Sequence, residues 1–291
     1  MYPIIGPLQK DRLTCALIST FCIQNKASRH PVAHAGRIHL GKRVLITGGG
    51  RGIGRRIAEV LAGEGYRLVV SDIDAASAAA VADALPGSGH KAVACDVRDE
   101  ASVAALFGEA EAEGQIGSII CNAGILLLRE GGVRPSIVET TLEEWQRSHD
   151  VNLTGAFLTI REFLRRRTAT PADGGGRIVT FTSSAAQLGG YRSSSAYISS
   201  KSGIIGLTKA AARECAAMGI TANAVAPGLI DAPMLRLSLK EGDEAAAAAN
   251  IPLGRIGTTD DVAGAVSFLL SDKASYITGS VIDVNGGYRM Q

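Results

Sequence analysis

Aromatic residues are scarce in this chain, at 4% of 291 residues with a single tryptophan. Charge of one sign is scarce too: 30 Lys and Arg against 28 Asp and Glu leave a net charge of +2. No basic stripe of the kind a nucleic-acid surface requires is present, so no nucleic-acid partner is expected. No apolar run approaches the roughly 18 residues of a membrane span; the longest candidate is Leu13–Ile23, and no membrane partner is expected. The five cysteines are odd in number and form no C-x-x-C pair. That argues against a disulfide framework or a zinc site and for small buried residues in a reducing compartment. His90 and His149 are isolated, so no metal is expected, and the expected location is cytoplasmic.

Leu13–Ile23 follows Lys10 and Arg12 in the manner of a signal peptide, and Ala33-His34-Ala35 has the small-x-small form of a cleavage site. That site lies too far downstream, across Lys26 and Arg29. A transit peptide is the other targeting reading, since the stretch holds one acid, Asp11. Residues 1–39 are read as an N-terminal extension, disordered or the product of a start assigned too far upstream, and 40–291 as one domain.

What the chain does have, from about Leu40 onward, is alternation. Apolar β-branched runs are expected as strands at Arg43–Thr47, Arg67–Ser71, Lys91–Cys95, Ser118–Cys121, Arg177–Thr182, Ile220–Ala226 and Ser280–Val284. Between them helices are expected near Ile53–Glu64, Ala75–Leu85, Ala101–Gly114, Leu142–Arg167, Ser195–Met218 and Asp260–Leu270. Continuous apolar strands are those covered by helices on both faces. The alternation therefore predicts an α/β fold of Rossmann type: a doubly wound, seven-stranded, mostly parallel sheet.

The first strand runs into Thr47-Gly48-Gly49-Gly50-Arg51-Gly52-Ile53-Gly54 and then an amphipathic helix. Glycines let backbone approach a pyrophosphate, and a helix N-terminus offers unpaired N–H groups and positive dipole. The spacing is G-x-x-x-G-x-G; the strict G-x-G-x-x-G frame fails at Ile53, and without Gly-Lys-Ser/Thr the turn is not a P-loop. Gly48, Arg51, Gly52, Ile53 and Gly54 are thus candidate cofactor residues. Asp72 ends the second strand, 18 positions after Gly54, where an acid can bind the adenosine ribose hydroxyls. The same carboxylate repels the extra phosphate of NADP, whereas Arg51 pulls the other way. NAD is the expected cofactor, with NADP the alternative.

Tyr197 and Lys201 stand four apart, on one face of a predicted helix. A phenol titrates near pH 10, and a neighbouring ammonium lowers that value toward the range of a useful acid/base. Of six tyrosines only Tyr197 has this partner. Ser184 lies 13 positions upstream, just past a strand, where a hydroxyl can hold a substrate oxygen as charge develops; Ser183 is the alternative.

Together these motifs resemble the short-chain dehydrogenase/reductase family, in its shorter single-domain branch, over roughly Leu40 to Tyr288. The match includes Cys95-Asp96-Val97, Asn122-Ala123-Gly124, Val151-Asn152, Pro227-Gly228 and Asn285-Gly286-Gly287 in register. The resemblance implies hydride transfer between NAD(H) and an alcohol or carbonyl, with Tyr197 moving the proton and Lys201 tuning it and bonding the nicotinamide ribose. It implies that Asn152 holds a relay water, that Asp96 bonds adenine with Val97 on the ring, and that Asn122, Ala123 and Gly124 form a cofactor loop. Pro227, Gly228 and Ile230 would face the carboxamide. It also implies a homotetramer built on the long helices. Ala232 replaces a frequent threonine, and Leu126–Thr140 is longer than usual.

The substrate, a small alcohol or carbonyl compound, is less legible. Ser184, Gln187, Tyr191 and Tyr197 are expected around its pocket, with Leu188 beside them and a flap near 231–255 above. In that flap Leu235, Leu237 and Leu239 favour an apolar partner, while Arg236 and Lys240 favour an acid. An NADPH-dependent 3-ketoacyl thioester reductase is the alternative. More remote are a non-catalytic NAD-binding module and an epimerase or dehydratase.

Overall fold

In the computed structural model residues 43–170, 175–190 and 192–290 are described. They fall within one unit, Ile38–Gln291, and the predicted extension, residues 1–39, lies outside them. Seven strands form a single sheet: β1 Arg43–Thr47, β2 Arg67–Asp72, β3 Lys91–Ala94, β4 Ser118–Cys121, β5 Gly176–Phe181, β6 Ile220–Pro227 and β7 Val281–Val284. Their order is β3-β2-β1-β4-β5-β6-β7, and every neighbouring pair is parallel. The expected sheet is therefore present and parallel throughout.

Strands β1 to β6 each feed two cores. Along β1, Val44 and Ile46 pack on one side with Ile57 and Leu61 of α1 (Gly52–Gly63) and Val262, Val266 and Leu269 of α10 (Thr259–Leu270). Leu45 points to the opposite side, with Leu106 and Phe107 of α3 (Glu100–Glu111), Phe163 of α5 (Gly155–Ala169) and Ile204 of α7 (Ser195–Cys215). Period-2 alternation with both faces apolar is how a strand buried between two helical layers reads. Helix α2, Ala75–Ala84, completes the first layer.

The predicted single helix Leu142–Arg167 is interrupted. It comprises α4 (Leu142–His149), a π-helical turn at Asp150–Thr154, and α5. The turn contains Asn152, which is 1% exposed. Its amide accepts the Ile125 N–H at 2.7 Å and donates to the Ile125 carbonyl at 3.0 Å and to Ser200 Oγ at 3.1 Å. The extra residue in the turn is coupled to this clamp between the loop after β4 and helix α7, in keeping with the way π-bulges concentrate at functional sites.

Three short helices lie outside the long periodic runs: α6 (Ser184–Leu188), α8 (Pro233–Arg236) and α9 (Glu244–Ala248). All three border the carboxyl ends of the strands or the flap above them. Among the described residues no helix is long and apolar enough to cross a membrane.

Candidate active site

Strand order reverses between β1 and β4, so their outgoing loops diverge and open a crevice at their carboxyl ends. This is the switch point at which open α/β sheets bind ligands. The glycine turn fills one side of it. Asn122 Nδ2 donates to the Gly48 carbonyl at 2.7 Å, and the Ala123 N–H to Thr47 Oγ1 at 3.3 Å. A β-carbon on Gly54 would overlap the Gly48 carbonyl and stand 2.5 Å from Asn122 Nδ2. Gly48, Gly54, Asn122 and Ala123 thus set the shape of the turn.

The donor set at α1 fits an anionic group. Helices α2, α3, α4, α7 and α10 each begin on an Asp, Ser or Thr whose side chain caps a free N–H. Helix α1 begins on Arg51 with no side-chain cap and no acid in its first turn. Its N–H groups are left for a ligand, and a dinucleotide pyrophosphate has the matching charge. Beside it, Asp72 Oδ2 accepts the Gly50 N–H at 3.0 Å and Oδ1 accepts the Asp74 N–H at 3.2 Å. The Asp74 carboxyl is held below the usual range by the Ser77 hydroxyl first, and by the charge of Arg51 among lesser causes.

The other expected cofactor residues sit around the same crevice. The Asp96 carboxylate is held by the Arg98 guanidinium, at 2.6 Å at the closest, and that hydrogen bond keeps its pKa low. Val97 is buried against Gly155. Ile53, Asn122, Gly124, Pro227, Gly228 and Ile230 line a cleft of about 190 Å³ that also contains Tyr197 and Lys201.

Tyr197 and Lys201 are 8% and 4% exposed, one turn apart on α7. Ser194 caps that helix through the Tyr197 N–H. Lys201 Nζ donates to the Phe181 carbonyl at 2.9 Å, and Thr182 Oγ1 donates to the Lys201 carbonyl at 2.7 Å. A β-carbon on Gly124 would stand 3.2 Å from both Lys201 Nζ and Asn152 Oδ1, so glycine leaves room for the pair. Burial pushes the Lys201 ammonium down to about 8. Burial also pushes the Tyr197 phenol above its ordinary value, opposed by the hydroxyl of Ser183. In the protein alone, desolvation outweighs the ammonium effect that sequence spacing suggests.

Both candidate serines, Ser183 and Ser184, line the cleft, and the Ser183 hydroxyl is the one that opposes the rise of the Tyr197 phenol. Ser183 caps α6, with Oγ accepting the Ala185 N–H at 3.2 Å, while Ser184 is already the first helical residue. Gln187 is absent from the lining, its side-chain oxygen buried without a hydrogen-bond partner, whereas Leu188 on the same helix does line the cleft. Tyr191 lies outside the described residues. Sequence reasoning did not find Leu126, Arg192, Met234, Ser238 or Tyr288 in the lining. They come from loops, the four-residue helix α8 and the carboxyl end of the chain, where no periodicity marks them.

Comparison with known proteins gives a consistent picture. A family model described as enoyl-(acyl carrier protein) reductase matches residues 48–289. The 3-oxoacyl-(acyl-carrier-protein) reductase of Escherichia coli (strain K12) is 37% identical over 255 residues, covering 86% of this chain and 98% of that protein. The cis-4-hydroxycyclohexanecarboxylate dehydrogenase of Sinomonas cyclohexanicum is 39% identical over 246 residues, covering 84% and 95%. Among solved structures, a 3-oxoacyl-(acyl-carrier protein) reductase with bound NAD from Brucella melitensis superposes with a TM-score of 0.76 at 33% identity, covering 87% of this chain and 93% of that one. A short-chain type dehydrogenase/reductase from Mycobacterium marinum gives 0.79 at 34% identity, covering 87% and 98%. The relatives span almost the whole described unit, glycine turn and Tyr197–Lys201 helix included, and the chain belongs to the short-chain dehydrogenase/reductase family as an NAD(P)-dependent oxidoreductase.

Proposed function

We propose that the enzyme prefers NAD and interconverts a small alcohol and its carbonyl compound, with Tyr197 moving the proton and Ser183 orienting the substrate oxygen. The observation that carries this reading is the burial of Tyr197 and Lys201 on one face of α7, with the Ser183 and Ser184 hydroxyls lining the same cleft.

The α1 N-terminus, Asp72 and the loop around Asn122–Gly124 would hold the dinucleotide, with Pro227, Gly228 and Ile230 at its nicotinamide end. When bound, the nicotinamide cofactor supplies the hydride or accepts it. The chain's own residues handle the proton. Tyr197, buried and shifted up, keeps its proton at neutral pH and is set to donate it from Oη to a carbonyl oxygen as negative charge grows there. The single Ser183 O–H donates a second hydrogen bond to that same oxygen. Lys201 remains protonated below about pH 8 and keeps positive charge under the site. The Asn152 amide is already engaged with Ile125 and Ser200, so a proton relay at this residue would use its backbone carbonyl. Asn152 is then a positioning residue.

Asp72 supports NAD, because a fixed carboxylate beside the turn repels a ribose phosphate. The Arg51 charge is shared with Asp74, a second acid at that end. An NADPH-dependent reductase of 3-oxoacyl thioesters is the second reading, favoured by the Escherichia coli and Brucella melitensis relatives. A homotetramer is part of the proposal: α5 and α7 border an outer groove of about 560 Å³ lined by Phe157, Leu164 and Leu207, and Phe157 is 42% exposed.

Four outcomes are expected. Tyr197→Phe and Ser183→Ala should each lower kcat by on the order of 10²-fold or more while NADH binding persists. Ser184→Ala should stay within a few-fold, and the reverse ranking of the two serines would reassign the hydroxyl. In a titration followed by nicotinamide fluorescence, NADH should bind at least about tenfold tighter than NADPH, with the gap narrowing in Asp72→Ser; tighter NADPH would transfer the case to the thioester reading. The Lys201 pKa is about 8 in the folded protein against an ordinary 10.5, so between those values the unfolded chain binds more protons. Denaturation across pH 8 to 10.5 should therefore show wild type gaining stability relative to Lys201→Met, by up to about 3 kcal/mol. Light scattering should return a tetramer mass, reduced by Phe157→Asp, and a concentration-independent monomer would remove the assembly from the proposal.

A further inference from the structure

The cleft is mostly apolar, with Leu126, Leu188, Met234 and Leu235 in its wall, and among the described residues no carboxylate lines it. Two cations do. Lys201 is buried at the floor and tied to the Phe181 carbonyl. Arg192 is exposed, and among the described residues none of the ion pairs involves it.

Arg192 is held in place by backbone. Its Nη1 donates to the Ser238 carbonyl at 3.1 Å, fastening it to the flap. Arg134, from the long segment Leu126–Thr140, donates through Nη1 to the carbonyls of Gly190 and Ser193 at 3.4 Å each, one on either side of Arg192. The same segment abuts the flap at Gly132, whose φ is +76° and where a β-carbon would stand 2.6 Å from the Leu237 carbonyl. Three segments thus meet around the mouth, and among the described residues the remaining guanidinium donors of Arg192 meet no acceptor. Arg236, the flap cation that sequence reading offered to an acid, is instead paired with Asp231 and Glu244.

We infer that Arg192 is the specificity-determining residue for an anionic substrate, a hydroxy or oxo acid whose carboxylate docks on this guanidinium while its apolar body fills the cleft and its reacting carbon lies at Tyr197. The guanidinium fork matches a carboxylate bidentately, and no acid among the described lining residues opposes a negative end. Arg134 is the positioning residue for the Arg192 loop. This inference rests on the alcohol/carbonyl reading of the site, and it sets a free acid against the neutral thioester of the second reading.

The test separates binding from turnover. Calorimetry of the protein saturated with NADH compares cyclohexanecarboxylate with cyclohexanecarboxamide. The acid should bind at least about tenfold tighter. Arg192→Leu should reduce that preference to within about twofold, Arg192→Lys should restore part of it, and Arg134→Leu should weaken it by a smaller factor. Equal affinities in wild type, or a preference that survives Arg192→Leu, would overturn the inference. The turnover arm offers 4-hydroxycyclohexanecarboxylate, its methyl ester and the neutral N-acetylcysteamine thioester of 3-oxobutanoate. A higher kcat/KM for the acid, lost in Arg192→Leu through KM more than kcat, supports it. Preference for the thioester overturns it. Arg192-dependent binding of the acid with no oxidation or reduction of any probe would leave Arg192 as an anion site and overturn the hydroxy- or oxo-acid substrate instead.

Discussion

An ammonium buried under an apolar cleft is the constraint on which the site turns. Lys201 Nζ has given up water and keeps the Phe181 carbonyl at 2.9 Å, an exchange that costs a charged group more than it costs any neutral neighbour. Holding it there takes the end of β5 for the carbonyl, the Ser194 cap for the phase of α7, and a residue without a side chain at Gly124. Cys121, also buried, lies close enough to interact with it electrostatically and has its thiol pushed up by the same desolvation. A bare positive charge in a site of low polarity favours whatever develops negative charge above it, and Tyr197 is the group placed to do so.

The sheet was legible because each strand is a continuous apolar run and each boundary is local. Arg43–Thr47 and Ser118–Cys121 coincide with their expected bounds. The break in the helix after β4 was not legible. Asn152 is a poor helix former only mildly, and its partners Ile125 and Ser200 are far off in sequence. Nothing local announces a clamp between three segments.

The site followed the same division. Tyr197 and Lys201 are one helical turn apart and could be paired from spacing alone, and the glycine turn could be placed because a strand runs into it and a helix leaves it. The serine could not be fixed to better than one position. Which hydroxyl faces the phenol depends on where β5 ends and α6 begins, and Ser183 caps α6 while Ser184 is inside it. Gln187 and Leu188 were read together, yet one α6 neighbour meets the cleft and the other does not. Arg192 carries no signal in its own vicinity, since its role depends on the Ser238 carbonyl and on Arg134.

The rim of the cleft is joined through main-chain oxygens: Arg134 to Gly190 and Ser193, Arg192 to Ser238, Gly132 against Leu237. A carbonyl is present whatever side chain a position bears. The joints therefore tolerate replacement of nearly every side chain around the mouth, while the proton-handling floor stays fixed by buried groups of defined chemistry. In a chain built this way, selectivity can drift quickly under selection, and can be redesigned by hand, without the catalytic apparatus having to be rediscovered.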